Sequence, residues 1–449
     1  MRKYLIALCS VLGWLLASHS SCQAQEGPSE NAPLLITPTV TRQIIDSIRQ
    51  VLYKNYIFPD TALKMANYLE QQYQKGAYAA IKEPQELARR LDMDLHKAHH
   101  DGHLRLMYAP ALARQISDTT HAQQRQRRND SLQLIDMRKS NFFFTNAEIL
   151  PGNIGYVKFN AFVGNLKEAR PTFTGAFRFV ANTNALIIDM RNNGGGSPAM
   201  VCQVASYFLP ARTHWNDIVD RNRTTEFWTD PTTADSLTLS MPVYILTARR
   251  TFSGAEDFTY GMQSLKRAII VGDTTGGGAH PTGPVVVGWG FVANTPVARS
   301  LNPYTHTDWE GTGVIPNIAV NADDALEAAK KAIFNAQIQS AADDNERRIS
   351  QWQLDDLTAR QTQQVMDSST LAAYTGQYQG GLVFYVNGSA LYCRNGERGD
   401  LVSKLYPISA DAFVLDENVH VEFVKESGRV SGMHMRWSNG GTSYKAKEK

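Results

Sequence analysis

The tightest constraint on the fold comes from two short apolar runs, each followed by three consecutive glycines. Ala185-Leu-Ile-Ile-Asp-Met190 leads into Arg191-Asn-Asn-Gly194-Gly195-Gly196, and then Ser197-Pro198 opens a helix reaching about Leu209. Ala268-Ile-Ile-Val-Gly272 leads into Asp273-Thr-Thr-Gly276-Gly277-Gly278. Continuous apolar runs of this length, bounded by turn residues, read as strands covered on both faces. Glycines directly after them allow positive φ and close approach of one backbone to another. Asn153–Phe159 and Pro242–Thr247 read as further strands, and a helix follows Ser253. This alternation predicts an α/β layer with a sheet between helices. A helix over Asp323 to about Gln339 closes it.

The flanks differ in pattern. Ile44, Ile45, Ile48, Val51 and Leu52 share one helical face; Asp60 is placed to cap a helix carrying Leu63 and Leu69; Pro84 opens a helix with Leu87, Leu91 and Leu95 spaced by four. Residues 39–108 therefore read as a helical N-terminal domain, and 109–340 as the α/β core, with 110–140 a polar connector. Residues 341–370 read as a linker. From 371 to 449, short strand-like runs alternate with Asn387-Gly388, Asn395-Gly396 and Ser427-Gly428, the pattern of a small antiparallel β domain.

At the N-terminus, Arg2 and Lys3 precede an apolar run from Tyr4 to Ala17 and a small-residue segment ending Ala24-Gln25. That reads as a secretory signal over 1–24, with 25–38 a linker. The run is shorter than the roughly 20 residues a membrane span needs. Cys22 offers a second route, a lipid anchor on a new N-terminal cysteine. The expected location is exported, periplasmic or at the cell surface. After cleavage at Ala24 only Cys202 and Cys393 remain, too few for a disulfide framework. A formal net charge of +2 gives no global pull toward nucleic acid or an anionic membrane. His99-His100-x-x-His103 lacks carboxylates or cysteines at metal-ligand spacing, so no metal is expected. No cofactor is expected either; the Gly194–Gly196 loop matches neither nucleotide-binding glycine pattern.

Ser253 stands where a strand and tight loop give way to a helix, Thr247-Ala-Arg-Arg-Thr-Phe-Ser253-Gly254. A hydroxyl there lies near free helix N–H groups, which suits a nucleophile whose attack creates an oxyanion. By itself the segment suits an N-cap better, with Glu256 completing a capping box. Two glycine loops after successive strands tilt the balance toward a backbone-lined site.

Five segments in order carry a resemblance: Asp101-Gly-His103-Leu104, Leu186–Gly196, Ser253-Gly-Ala-Glu256, Ala268–His280, and Trp309-Glu310-Gly-Thr-Gly313-Val-Ile-Pro-Asn317. Together they resemble the C-terminal-processing (tail-specific) serine peptidases, over about residues 40–335. The nearest branch is that of the tricorn core and the repeats of interphotoreceptor retinoid-binding protein. The resemblance implies a core of the crotonase-like (ClpP/crotonase) type. It implies Ser253 as nucleophile, and Gly254 with Gly195 or Gly194 as the oxyanion hole. The lysine base of the better-known branch falls on Gly278 here. The histidine of the tricorn-like branch matches His103, and its acidic member matches Glu310. The serine that precedes that histidine is replaced by Gly102, so how Glu310 reaches His103 stays open. Too few residues separate His103 from the first core strand for a PDZ-type domain. The implied partner is a polypeptide substrate. A non-catalytic binder of apolar ligands or peptides, and a hydrolase of non-peptide esters or amides, are alternatives on the same fold.

Overall fold

The computed structural model describes residues 34–120, 122–361 and 366–448. The expected signal segment, Cys22 and all but the last few residues of the 25–38 linker lie outside them. The chain divides into two units, one running to Ile149 and resuming over Gly155–Ala325, the other made of Leu150–Ile154 and Leu326–Lys449. No helix of the described residues is long and apolar enough to cross a membrane.

The first unit opens with three helices. Thr37 caps α1 (Pro38–Asn55) by accepting from Val40 N, and Pro38 fits the first turn, where no N–H partner is needed. α2 (Pro59–Gln74) and α3 (Pro84–Ala98) follow. Ile44, Ile45, Ile48, Leu69, Leu87, Leu91 and Leu95 are all buried in one cluster. Leu63, expected on the buried face of α2, is 49% exposed, and Phe58 rather than Asp60 is the residue before that helix. The same cluster takes in Leu106, Val287 and Phe291 from a three-stranded sheet, so these helices share a core with strands. That sheet is ordered β1 (Arg105–Tyr108), β10 (Phe291–Pro296), β9 (Thr282–Gly288), antiparallel throughout. The polar stretch read as a connector is helical, as α4 (Pro110–Ser117) and α5 (Ala122–Lys139). α5 is polar nearly all round and buries only Met137, which is why periodicity did not reveal it.

The central sheet has six strands in the order β12 (Ile318–Ala319), β8 (Ala268–Gly272), β7 (Val243–Thr247), β4 (Ala185–Asp189), β3 (Ile154–Phe159), β2 (Phe144–Leu150). β12, β8, β7 and β4 pair in parallel. β4 and β7 are buried at every residue, as continuous apolar runs require. α6 (Leu166–Phe179), α7 (Pro198–Ala205) and α8 (Gly254–Ser264) connect and cover them. Their aromatic core includes Phe159, Phe173, Phe177, Phe208 and Phe258. A third sheet, β11 (Ala298–Leu301), β5 (His214–Asp220), β6 (Thr224–Trp228), sets Trp215 against α8. A Cβ at Gly261 of α8 would lie 2.3 Å from the Trp215 ring, so glycine is required there.

The second unit contains α9 (Ala325–Ser340) from Leu326 onward, α10 (Asp344–Gln361) and α11 (Ser368–Ala373). The span read as a linker, 341–370, thus holds a full helix. Two antiparallel sheets follow. One is β13 (Gly376–Tyr378), β14 (Leu382–Asn387), β15 (Ala390–Asn395), β16 (Leu401–Lys404); the other is β17 (Tyr406–Pro407), β18 (Ala412–Asp416), β19 (Val419–Glu426), β20 (Arg429–Trp437), β21 (Thr442–Ala446). Ser427-Gly428, both at positive φ, turn β19 into β20. Asn395-Gly396 likewise leads β15 into β16, by way of a short 3-10 turn in which Asn395 accepts from Glu397 N.

Candidate active site

Ser253 ends the loop from β7 and precedes the first residue of α8. Its backbone sits at φ 55°, ψ −121°. A non-glycine residue held there stores about 1–3 kcal/mol of strain, which surrounding structure must impose. Glu256 helps impose it: its Oε2 accepts the Ser253 N–H at 2.8 Å. The same carboxylate accepts from Thr275 Oγ1 at 2.5 Å, Gly277 N at 2.6 Å and Gly278 N at 2.8 Å. Glu256 is fully buried, and burial pushes its carboxyl up while the four donors pull the other way. It fastens the serine turn to the second glycine loop.

The first glycine loop packs on the serine. A Cβ on Gly195 would lie 2.5 Å from Gly254 N and 2.9 Å from Ser253 Cβ. Gly195 has φ +93° and Gly196 φ +136°, values that favour glycine. Asn193, completely buried, holds the loop by donating to Phe159 O and accepting the Gly195 N–H at 2.8 Å. The Gly194 N–H is directed to Asn160 O at 3.3 Å. The two loop glycines expected from the sequence to bind an oxyanion therefore already donate elsewhere, Gly195 to Asn193 and Gly194 to Asn160. Neither the Gly196 nor the Gly254 N–H has an acceptor among the described residues, and a Cβ on Gly254 would stand 2.9 Å from Gly196 N. Asp189 anchors the loop's entry through Arg191 and Tyr156.

In the second loop each N–H from Thr275 to Ala279 has an acceptor: Val314 O, Thr251 O, Glu256 for both Gly277 and Gly278, and Glu310. That loop is a structural floor, not a donor set. Gly278 is obligatory, because a Cβ there would fall 2.2 Å from Phe252 and 2.7 Å from His103 Cε1.

His103 lies over this floor, its ring 4.6 Å from that of Phe252, the residue before Ser253. Burial pushes its pKa down to about 4, only partly opposed by Asp101, so the imidazole is neutral at neutral pH. Its Nδ1 is buried without a hydrogen-bond partner. No hydrogen bond joins His103 to Ser253 or to Glu310 among the described residues. Glu310 is turned elsewhere. Its Oε1 accepts from Gly102 N at 3.0 Å, its Oε2 from Ala279 N at 2.6 Å, and Oε2 lies 3.5 Å from His280 Nδ1. A Cβ at Gly102 would be 3.2 Å from both Gly277 O and the Phe252 ring, so this turn has little room for a side chain.

Two residues given no role from sequence complete the surroundings, Asp101 and His280. Asp101 is fully buried and accepts from Tyr56 OH, His280 Nδ1 and His103 N. With Glu310 they offer three ligand atoms within 4.8 Å of one another, a spacing that a metal ion could bridge. Each of those residues is already engaged by the hydrogen bonds above. The partners are 179 and 208 positions apart, so no local pattern signals them.

Two family models match the chain. Residues 153–320 match peptidase family S41, and residues 33–142 match the N-terminal domain of peptidase S41 in eukaryotic IRBP. Together they cover more than half of the sequence. The chain belongs to peptidase family S41. It is 29% identical over 178 residues to carboxyl-terminal-processing peptidase 2, chloroplastic, of Arabidopsis thaliana, a match spanning 37% of this chain and 33% of that relative. The chain thus spans about a third of the length of the curated relative. Among solved structures it is similar to a photosystem II D1 C-terminal processing protease (TM-score 0.42, 16% identity, 63% of this chain and 93% of that one). It is also similar to the tricorn protease (TM-score 0.40, 13% identity, 66% and 37%). The C-terminal-processing peptidases of family S41 are serine peptidases.

Proposed function

We infer that this S41 chain hydrolyses peptide bonds of polypeptides, with Ser253 as nucleophile and His103 as its base. The observation that carries the reading is the strained Ser253 turn at a strand-to-helix junction, with the unengaged N–H groups of Gly254 and Gly196 beside it. In this reading His103 takes the Ser253 proton and returns it to the leaving amine, for which a neutral buried imidazole is the correct starting state. Serine–histidine bonds are often loose before substrate binds and tighten in the complex. Gly254 N–H stabilises the oxyanion together with a donor of the first loop. Gly196 is open for that task, whereas Gly195 serves only by leaving Asn193, and Gly194 only by leaving Asn160. Glu310 supports the turn that carries His103 instead of bonding its ring. The parallel sheet flanked by helices supports assigning the core to the crotonase-like type, with residues 371–449 as a small β accessory domain. The N-terminal charge and apolar pattern supports export.

The test is covalent labelling with a fluorophosphonate alongside hydrolysis of an unfolded protein. Wild type should react on both counts. Ser253→Ala should lose both, and His103→Ala should lose at least 100-fold of each, within the range that general-base catalysis contributes (about 10²–10⁴). Labelling that persists in Ser253→Ala defeats the assignment of the nucleophile.

A further inference from the structure

Asp101, His280 and Glu310 form a buried charged cluster that the proton transfers above leave unused. They come from the turn after α3, the end of the second glycine loop and the loop before β12. Their side chains are 0%, 4% and 12% exposed. His280 Nδ1 is 2.8 Å from Asp101 Oδ2 and 3.5 Å from Glu310 Oε2. Burial works against a charge on His280, but the Asp101 hydrogen bond and the charges of Glu310, Asp101 and Asp308 outweigh it and hold its pKa above the ordinary value. His99 also faces the cluster and Tyr56 OH donates into it, while the Phe58 ring stands edge-on to the imidazole.

Three of the cluster's hydrogen bonds end on the cradle of His103. Asp101 accepts the His103 N–H, and Glu310 accepts the N–H of Gly102 and of Ala279. Gly102 and Gly278 both pack on the Phe252 ring, and Gly278 packs on His103 itself. The turn above the His103 ring and the floor beneath it are therefore tied to one imidazole between two carboxylates. If that imidazole becomes neutral, two buried carboxylates lose their counter-charge. One must then take up a proton or withdraw, and either change weakens its grip on a backbone N–H of the cradle.

Building on the reading of His103 as base, we propose that His280 is a positioning residue: as an imidazolium clamped by Asp101 and Glu310, it sets the His103 ring against the Ser253 turn. Its charge is present below the raised pKa and lost as pH rises through it, so positioning is lost toward alkaline pH.

Two measurements test this. The first uses Ser253→Ala protein with histidines labelled at Cε1 with ¹³C, titrated by NMR, with His103→Gln and His280→Gln variants as assignment aids. His280 should titrate above about 6.5, the ordinary histidine value. The His103 resonance should shift in step with it, far above its own titration near 4. A His280 titrating at or below the ordinary value, or a His103 resonance indifferent to it, overturns the proposal. The second is the pH dependence of fluorophosphonate labelling. Wild type should lose rate on the alkaline side. His280→Gln should be slower on the order of 100-fold at neutral pH, as for a misplaced catalytic group, and should lack that alkaline fall. An unchanged rate and profile in His280→Gln also overturns it. If His280→Gln does not fold, the wild-type alkaline fall and the first titration decide. If wild type does not label at any pH, the peptidase reading fails, and the histidine titration still judges the clamp.

Discussion

At the scale of single residues, the proposed reaction rests on one strained serine and one neutral histidine. The His103 pKa is depressed by burial, so its effects have a definite sign. A histidine whose folded pKa lies below its unfolded value keeps its contribution to stability above about 6.5 and loses it as pH falls toward the folded value. The acid limb of kcat/KM should therefore lie near pH 4, where His103 gains its proton, provided the fold persists there. A pH–rate profile with its acid limb near 6.5 would contradict the buried placement. Ser253, His103 and Glu310 could each be named from short motifs, because motif glycines and their neighbours sit within a few residues of them. The attachment of Glu310 could not. Its partners are Gly102, Ala279 and His280, and a backbone N–H leaves no mark in the sequence beyond the residue's smallness.

At the scale of elements, α8 does the most to aim the serine. Glu256 in its first turn holds the Ser253 N–H and both ends of the Gly277–Gly278 pair. One residue further, Asp257 is buried against Trp215, whose Nε1–H donates to Oδ1 at 3.0 Å. Burial raises that carboxyl to about 7. A carboxyl raised in the folded state contributes most stability below its unfolded pKa and loses it as pH climbs through the folded value. Asp257→Asn, which retains an acceptor for Trp215, should thus raise Tm more at pH 8 than at pH 4. Calorimetry at the two pH values measures this, and equal shifts would count against a buried protonated carboxyl. Strand elements were legible because buried parallel strands are continuous apolar runs, as β4, β7 and β8 are. α5 and α10 were not, since a helix polar on most faces carries no 3.6-residue signal.

At the scale of the whole molecule, two compact units follow from where apolar side chains converge. In the unit containing Leu326–Lys449, Phe423 is 3% exposed and its ring meets Tyr374, Tyr378, Phe384 and Phe413 at 4.4–5.8 Å. Phe423→Ala should destabilise that unit by about 3–5 kcal/mol, as large aromatic truncations do. Hydrogen exchange confined to residues 326–449 would register it, and unchanged protection of β19 and β20 would refute it. The helices of residues 39–108, legible from their spacing, share one core with β1 at the end of that span and with β9 and β10, strands far later in the chain. The amino-acid sequence alone determined the alternation of strands and helices, the glycine loops, and the motifs in which Ser253 and His103, the proposed reactive pair, stand. These are local matters of periodicity, backbone freedom and motif. Only the tertiary structure decided which loop N–H groups stay open, why Gly278 cannot carry a side chain, and that Glu310 meets His280 instead of His103. Those outcomes depend on which distant backbones come within hydrogen-bond reach, and that is set by packing between segments.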